Sequence, residues 1–225
     1  MKDISSFNNY PHYPVMLDEV IKICNPNKGG DFIDCTFGNG GYTNAILSFS
    51  RTKVISFDRD ILTQKYASIL KNNFKDRFKF YNEKFSNLDK VLEEDFKVDF
   101  VIFDLGLSTM QINDLERGFS FNAKGSIDMR MGKNSISAQD VLNNYDQKTL
   151  NKIFKYFGDE KDSSRIASNI IKERKKSPIL SVPKLVEIIK RSKKKNFKKK
   201  INISTQTFQA LRIFVNKEIS ELING

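Results

Sequence analysis

The sequence predicts an α/β fold, a parallel sheet with helices on both faces, joined by a helical insertion. Short apolar runs alternate with amphipathic stretches through the first hundred residues. A glycine-rich turn follows the first run. The run at 98–104 (VDFVIFD) is apolar on both faces, as a covered parallel strand must be. Beyond Asp104 the strand pattern stops and helical patterns take over, so the helices are expected as an insertion after the fourth strand.

Each element follows from local pattern. Residues 31–36 (DFIDCT) read as the first strand, followed by a turn and a helix over 42–49. Residues 53–58 (KVISFD) read as the second strand, and the next helix carries Ile61, Leu62, Tyr66, Ile69 and Leu70. A weaker third strand lies at 77–81 (RFKFY), then a short helix over 86–94 with Leu88, Val91 and Leu92 on one side. The stretch 105–131 has glycine and serine at intervals and no period, which predicts a long ordered loop. Helices are expected at 137–145, 147–157, 161–176 and 182–191, and the basic run 193–200 (KKKNFKKK) as a connection. Over 205–223, Phe208, Leu211, Val215, Ile219 and Leu222 recur at steps of three and four, predicting one amphipathic helix. The expected division is a core of 1–110 and 201–225 and an inserted, basic, substrate-binding domain of 111–200. Four strands would leave a sheet edge open, so the sequence reads as lacking final strands.

Composition narrows the class. The 225 residues suffice for one core with a smaller inserted domain. No apolar run approaches the roughly 20 residues of a membrane span, so no membrane partner is expected. The opening MKDISSFNNY lacks the apolar stretch of a secretory signal. Cys24 and Cys35 are the two cysteines and His12 the one histidine, which argues against structural zinc and for a reducing, cytoplasmic setting. The net charge is +11, and it is unevenly placed: residues 1–110 hold 14 Lys/Arg against 15 Asp/Glu, leaving 24 against 12 for the remainder. Such a basic half is the electrostatic footprint of a polyanionic partner, although a lysine-rich surface also serves solubility alone.

The residues that carry chemistry cluster at strand ends. Asp34-Cys35-Thr36-Phe37-Gly38-Asn39-Gly40-Gly41 lies where the first strand turns into the first helix, where ligands bind in doubly wound folds. Asp58 ends the second strand 20 residues beyond Gly38, a spacing that suits a ribose acceptor, and Asp58 or Asp60 also suits a helix cap. Asp104 ends the fourth strand and adds a third carboxylate. Together these favour a nucleoside-type cofactor. The glycines at 38, 40 and 41 depart from the dinucleotide pattern and lean towards S-adenosylmethionine over NAD, without deciding between them. The segments Asp104-Leu-Gly-Leu-Ser-Thr-Met-Gln111, Glu116-Arg-Gly-Phe-Ser-Phe121 and Asp128-Met-Arg-Met131 have the mixture expected of a substrate-binding loop, or of an ordered surface loop.

These segments resemble the bacterial small-subunit ribosomal RNA cytosine-N(4) methyltransferase family. Its His-x-Pro-Val-Leu appears as His12-Tyr-Pro-Val-Met16, and its Asp-x-Thr-x-Gly-x-Gly-Gly-His as Asp34 to Gly41 followed by Tyr42. Its Asp-Leu-Gly-x-Ser-Ser-x-Gln appears as residues 104–111. The segments at 116–121 and 128–131, and Thr207-Phe-Gln-Ala-Leu-Arg-Ile-Phe-Val-Asn216, match as well. The resemblance implies a class I, Rossmann-like, S-adenosylmethionine-dependent core with a helical insertion. It implies cofactor contacts from Gly40, Gly41, Tyr42, Asp58, Phe85, Asp104 and Gln111. The implied substrate is a cytosine amino group in small-subunit ribosomal RNA, free or in the assembled subunit. Tyr42 stands where the family usually has His, and Gln206 where it usually has Arg. The family's later strands and its Ile-Ser-Phe-His-Ser motif are absent from the sequence.

A cytosine amino group is a poor nucleophile, and an acceptor for its N–H would draw off developing charge. Asp128 is the candidate for that acceptor. Phe119 and Phe121 could hold an unstacked base, or simply pack the core. Two competing functions follow from the same residues: a non-catalytic RNA-binding protein with a residual cofactor pocket, and an NAD-dependent oxidoreductase, which the glycine spacing disfavours. Charge alone does not separate RNA from DNA.

Overall fold

The first half of the chain folds as α1 (Leu17–Cys24), β1 (Gly30–Asp34), α2 (Gly41–Leu47), β2 (Thr52–Phe57), α3 (Gln64–Phe74), β3 (Phe78–Tyr81), α4 (Leu88–Val91) and β4 (Phe100–Ile102). The computed structural model describes residues 14–132, 134–193 and 202–225. Among these, the strands form one parallel sheet in the order β3-β2-β1-β4. Parallel strands need crossover connections: α2 and α3 link neighbouring strands, and α4 leads from β3 to β4 at the opposite edge. The sheet and its crossovers follow the sequence reading, whereas α1 was not foreseen.

Alternation along the strands builds two apolar layers. Phe32, Val54 and Phe78 face Leu17, Ile46, Leu47 and Leu70 on one side. Their chain neighbours Ile33 and Ile55, with Phe57, face Tyr81, Phe85 and Leu88 on the other. Each fully buried side chain of this size stabilises the fold by roughly 1.5–3 kcal/mol. The strand at 98–104 departs from expectation. Ile102 is buried, but Val101 is 42% exposed and Phe103 41%. The reason is position: β4 pairs with β1 alone, so it is an edge, and no strand covers its outer side among the described residues.

The chain divides into two compact units, Met1–Met110 with Asn224–Gly225, and Gln111–Ile223. α5 (Thr109–Asn113) includes the point of division. The second unit contains α6 (Ala138–Asn144), α7 (Gln147–Gly158), α8 (Ser163–Arg174), α9 (Val182–Ser192) and α10 (Thr205–Asn216), and α11 (Glu218–Asn224) closes the chain. Caps explain the starts. Ser137 and Asp140 form a reciprocal capping box before α6, and Asp146 accepts from the Thr149 N–H at the start of α7. Leu150, Ile153 and Phe154 of α7, Ile166 and Ile170 of α8, Leu185, Ile188 and Ile189 of α9 and Phe208 and Leu211 of α10 are buried.

Two expectations for the last segment are corrected. The helix expected over 205–223 breaks at Lys217, which takes a left-handed backbone with φ 51°. Asn216 causes the break. Its buried amide donates to the Met129 carbonyl (2.7 Å) and its Oδ1 accepts from the Met131 N–H (2.8 Å), which fixes the end of α10 on the 129–131 turn. The core was also expected to include 201–225. α10 instead packs on α7 and α6, so residues to Ile223 group with the helices.

A buried ion pair marks where α9 ends and α10 begins. Glu160 is buried, pairs with Lys193 and accepts from Thr207 Oγ1 (3.1 Å). Lys193 Nζ also donates to the Ile203 carbonyl at 2.5 Å. His12, Tyr13 and the basic run beyond Lys193 lie outside the described residues.

Where α7 meets α10 the backbones are in contact. A Cβ on Gly158 would lie 2.3 Å from the Gln206 carbonyl oxygen and 3.0 Å from Ala210 Cβ. Gly158→Ala is therefore expected to destabilise the protein by about 1–3 kcal/mol, because the obstacle is main chain. Thermal unfolding should show a midpoint lower by several degrees, on the order of 2–4 °C per kcal/mol for this chain length. An unchanged midpoint would contradict the close crossing.

Candidate functional site

The site is assembled from β1 outward. Asp34 ends β1 and is fully buried. Its Oδ1 accepts from the Thr36 N–H (3.1 Å) and its Oδ2 from Thr43 Oγ1 (2.7 Å). Thr43 Oγ1 also lies 2.8 Å from Ser56 Oγ on β2. Thr43 has one proton and gives it to Asp34, so Ser56 must donate to Thr43. The chain joins β1, β2 and the first turn of α2 through hydroxyl groups. Burial pushes the Asp34 carboxyl up to about 6, against the lowering pull of these hydrogen bonds.

The glycine turn is held at its other side by Asp58. Gly38, at φ 54°, donates its N–H to Asp58 Oδ2 at 2.7 Å, and Asp60 donates to Oδ1 at 2.8 Å. Asp60, not Asp58, caps the following turn by accepting from the Leu62 N–H. Asp58 is thereby left to bind the glycine loop. Burial pushes it up to about 6 as well. Asp104 stands at the carboxyl end of β4, exposed, with its N–H donated to Thr36 Oγ1 at 2.7 Å. Thus Asp58, Asp104 and the turn at 36–38 come together at one end of the sheet.

The glycines differ in what surrounds them. A Cβ on Gly40 would meet the Phe37 ring and Leu70 within 2.9 Å, and one on Gly41 would meet Pro14 at 2.2 Å. Those two serve protein packing. A Cβ on Gly38 would find nothing nearer than Ser108 Cβ at 3.7 Å, and one on Gly106 nothing within 4 Å. The open backbone therefore lies at Gly38, within the turn that the sequence marks, and at Gly106, which the sequence does not distinguish within its loop.

Tyr42 is buried at the start of α2, and its hydroxyl donates to the Val15 carbonyl. Asp104 Oδ2 lies 3.4 Å from the same hydroxyl. Burial and the nearby Asp104 and Asp34 charges hold the phenol well above its ordinary range, so it stays a neutral donor. Phe85 opens a short 3-10 turn after β3 and packs edge-to-face on Phe103, with ring centroids 5.3 Å apart.

Gln111 and Asp128 belong to the second unit. Gln111 is buried. Asp128 precedes Met129, whose φ is 58°, and its carboxylate accepts from the N–H (3.0 Å), Nε (2.8 Å) and Nη2 (2.7 Å) of Arg130. Burial would raise this carboxyl, but the Arg130 bonds and charge outweigh it and hold it below the usual range. Arg117 donates to the Arg130 carbonyl (2.6 Å) and lies over the Phe119 ring. Phe119 is buried, and Phe121 packs edge-on against Phe208, so both rings are engaged within the protein.

Comparison with known proteins decides the family. The profile of the MraW methylase family matches residues 9–224. The chain belongs to this family. Proteins called ribosomal RNA small subunit methyltransferase H are similar to it throughout. That of Ehrlichia canis is 42% identical over 217 residues, covering 95% of this chain and 73% of the relative. Those of Rickettsia bellii (43%, covering 94% and 69%) and Neorickettsia sennetsu (41%, covering 95% and 72%) agree. As a family member the chain is an S-adenosylmethionine-dependent methyltransferase. The residues present fit that cofactor: open backbone at Gly38, an anchored carboxylate in Asp58, an exposed one in Asp104 and an aromatic edge in Phe85.

The Asp34 carboxyl carries a pH signature. Its folded value of about 6 exceeds the ordinary 3.8, so its contribution to stability is full below about pH 4 and is lost as pH rises through 6. Relative to wild type, Asp34→Asn is expected to gain roughly 3 kcal/mol between pH 4 and pH 7, as two pKa units imply. Chemical denaturation of both proteins across that range measures it; a pH-independent difference would place the ionised carboxylate in water.

Proposed function

We propose that this protein methylates the exocyclic N4 amino group of a cytosine in small-subunit ribosomal RNA. The observation that carries the reading is the carboxylate pair Asp58 and Asp104 set around the open Gly38 turn, in a chain of the MraW methylase family. The names of its relatives supply the RNA, and the basic excess beyond residue 110 is the charge such a partner calls for. The substrate is that RNA, free or within the assembled small subunit, and the protein works in the cytoplasm. No helix among the described residues is long and apolar enough to cross a membrane.

S-adenosylmethionine, when bound, supplies an electrophilic methyl group on a sulfonium. Asp58 accepts from the ribose hydroxyls, oriented by the two backbone N–H groups that already hold it. Asp104 offers a carboxylate to the cationic end, and Phe85 an aromatic edge to the base. Gly40, Gly41 and Tyr42 shape the turn, with Tyr42 fastening Val15 across it. Gln111 completes the set that the family resemblance implies. Asp128 accepts an N–H of the target amino group, for which its ionised state suits it, and draws off positive charge as the new N–C bond replaces the methyl's bond to sulfur and the proton is released to water. Arg130 orients Asp128.

Calorimetric titration of the purified chain with S-adenosylmethionine tests the cofactor site. Binding is expected at pH 7.5, with at least a hundredfold loss in Asp58→Ala. Below about pH 6 the affinity should fall near tenfold per pH unit, because a protonated Asp58 loses an acceptor. Undiminished binding by Asp58→Ala would remove it from the site. For the chemistry, Asp128→Asn should bind S-adenosylmethionine normally yet lower methyl transfer to small ribosomal subunits by 10²–10⁴. Full turnover by that variant would rule out the acceptor role.

A further inference from the structure

α7 buries Leu150, Ile153 and Phe154 and packs between α8 and α10. Its opposite side carries Lys148, Lys152, Lys155 and Tyr156, at i, i+4, i+7 and i+8, which is one stripe of a helix. All four are exposed, and Tyr156 is 70% so. The Lys155 ammonium lies 5.7 Å from the centre of the Tyr156 ring. From Lys148 to Lys155 the strip runs about 10 Å along the axis.

Its lysines gather around an exposed ring, whereas several cations on the neighbouring helices are held in ion pairs. On α8 and α9, Arg165 pairs with Asp162, Lys176 and Lys184 with Glu173, and Arg191 with Glu187. None of the three α7 lysines forms an ion pair among the described residues. Asp146, at the start of α7, caps Thr149 through both oxygens and acts on the Lys148 ammonium by charge alone. A face that served solubility alone would gain nothing from an exposed phenol ring. Cations alternating with an exposed aromatic are what a single-stranded nucleic acid requires: ammonium groups for phosphates, a ring face for an unpaired base.

We propose that this strip of α7 docks single-stranded ribosomal RNA, with Tyr156 stacking on a base and Lys148, Lys152 and Lys155 neutralising neighbouring phosphates. The inference rests on the reading of this protein as a ribosomal RNA methyltransferase and names one of its RNA-binding faces. An acidic protein surface would use the lysines but not the ring, and the two occupants are therefore separable.

The test measures binding of a labelled single-stranded oligocytidylate and of purified small ribosomal subunits, across a salt series, by the full chain. The Lys148→Ala/Lys152→Ala/Lys155→Ala variant should lose at least tenfold in affinity, with the slope of log K against log salt reduced by about 2. A control variant with the same charge loss, Lys172→Ala/Lys175→Ala/Lys190→Ala, should bind nearly as wild type. Tyr156→Ala should weaken binding by about fivefold or more, and Tyr156→Phe should restore it, since stacking needs the ring and not the hydroxyl. S-adenosylmethionine affinity should be unchanged in every variant, showing that the fold is intact. Equal losses in the strip and control variants, or a neutral Tyr156→Ala, would overturn the proposal while leaving the methyltransferase reading in place. A wild-type chain that bound neither RNA would overturn both.

Discussion

Everything at the site hangs from the buried carboxylate of Asp34. A carboxylate removed from water is costly unless its oxygens are hydrogen-bonded, and this one is satisfied by Thr36 and Thr43, the latter backed by Ser56. The three partners come from the turn after β1, from α2 and from β2. The same ion therefore sets the exit of the first strand, the start of the first helix and the spacing to the second strand. Thr36 then passes the constraint on, because its hydroxyl accepts the N–H of Asp104 at the end of β4. Asp58 closes the loop from the other side through the N–H of Gly38. The Asp58 carboxylate is thus placed by main-chain bonds, and the backbone of Asp104 by the Thr36 hydroxyl.

Much of this was legible in the sequence, for reasons of range. Strands β1, β2 and β4 announce themselves by short apolar runs, and the starts of α6 and α7 by Ser137 and Asp146, because alternation and capping are local effects. Asp58 and Asp104 were legible from their positions at strand ends. What the sequence concealed depends on contacts between distant residues. The break after Asn216 cannot be read from the stretch 205–223, whose apolar spacing continues unbroken; it arises from bonds to Met129 and Met131, more than 80 residues away. The different surroundings of Gly38, Gly40 and Gly41 are equally invisible, since Pro14 and Leu70 decide them. The exposure of β4 reflects sheet order and not its composition.

The two units differ in charge. The sheet unit is nearly neutral and places three of its acids, Asp34, Asp58 and Asp104, at strand ends. The helical unit carries the basic excess, and its own carboxylates are mostly spent on neighbouring cations or on caps. Asp128 fits this economy of charge: Arg130 grips it so fully that it remains ionised while staying half-buried.

The buried pairing of Lys193 with Glu160 has a consequence for how this protein tolerates change. Lys193 also reaches the Ile203 carbonyl, so the chain leaves α9 and re-enters α10 at a single point. Breaking a buried ion pair from one side is costly, because the charge left behind stays out of water without its partner. A substitution at Lys193 or at Glu160 alone would therefore disturb the end of α9 and the start of α10 together, whereas replacing both by apolar residues of similar volume would be far better tolerated.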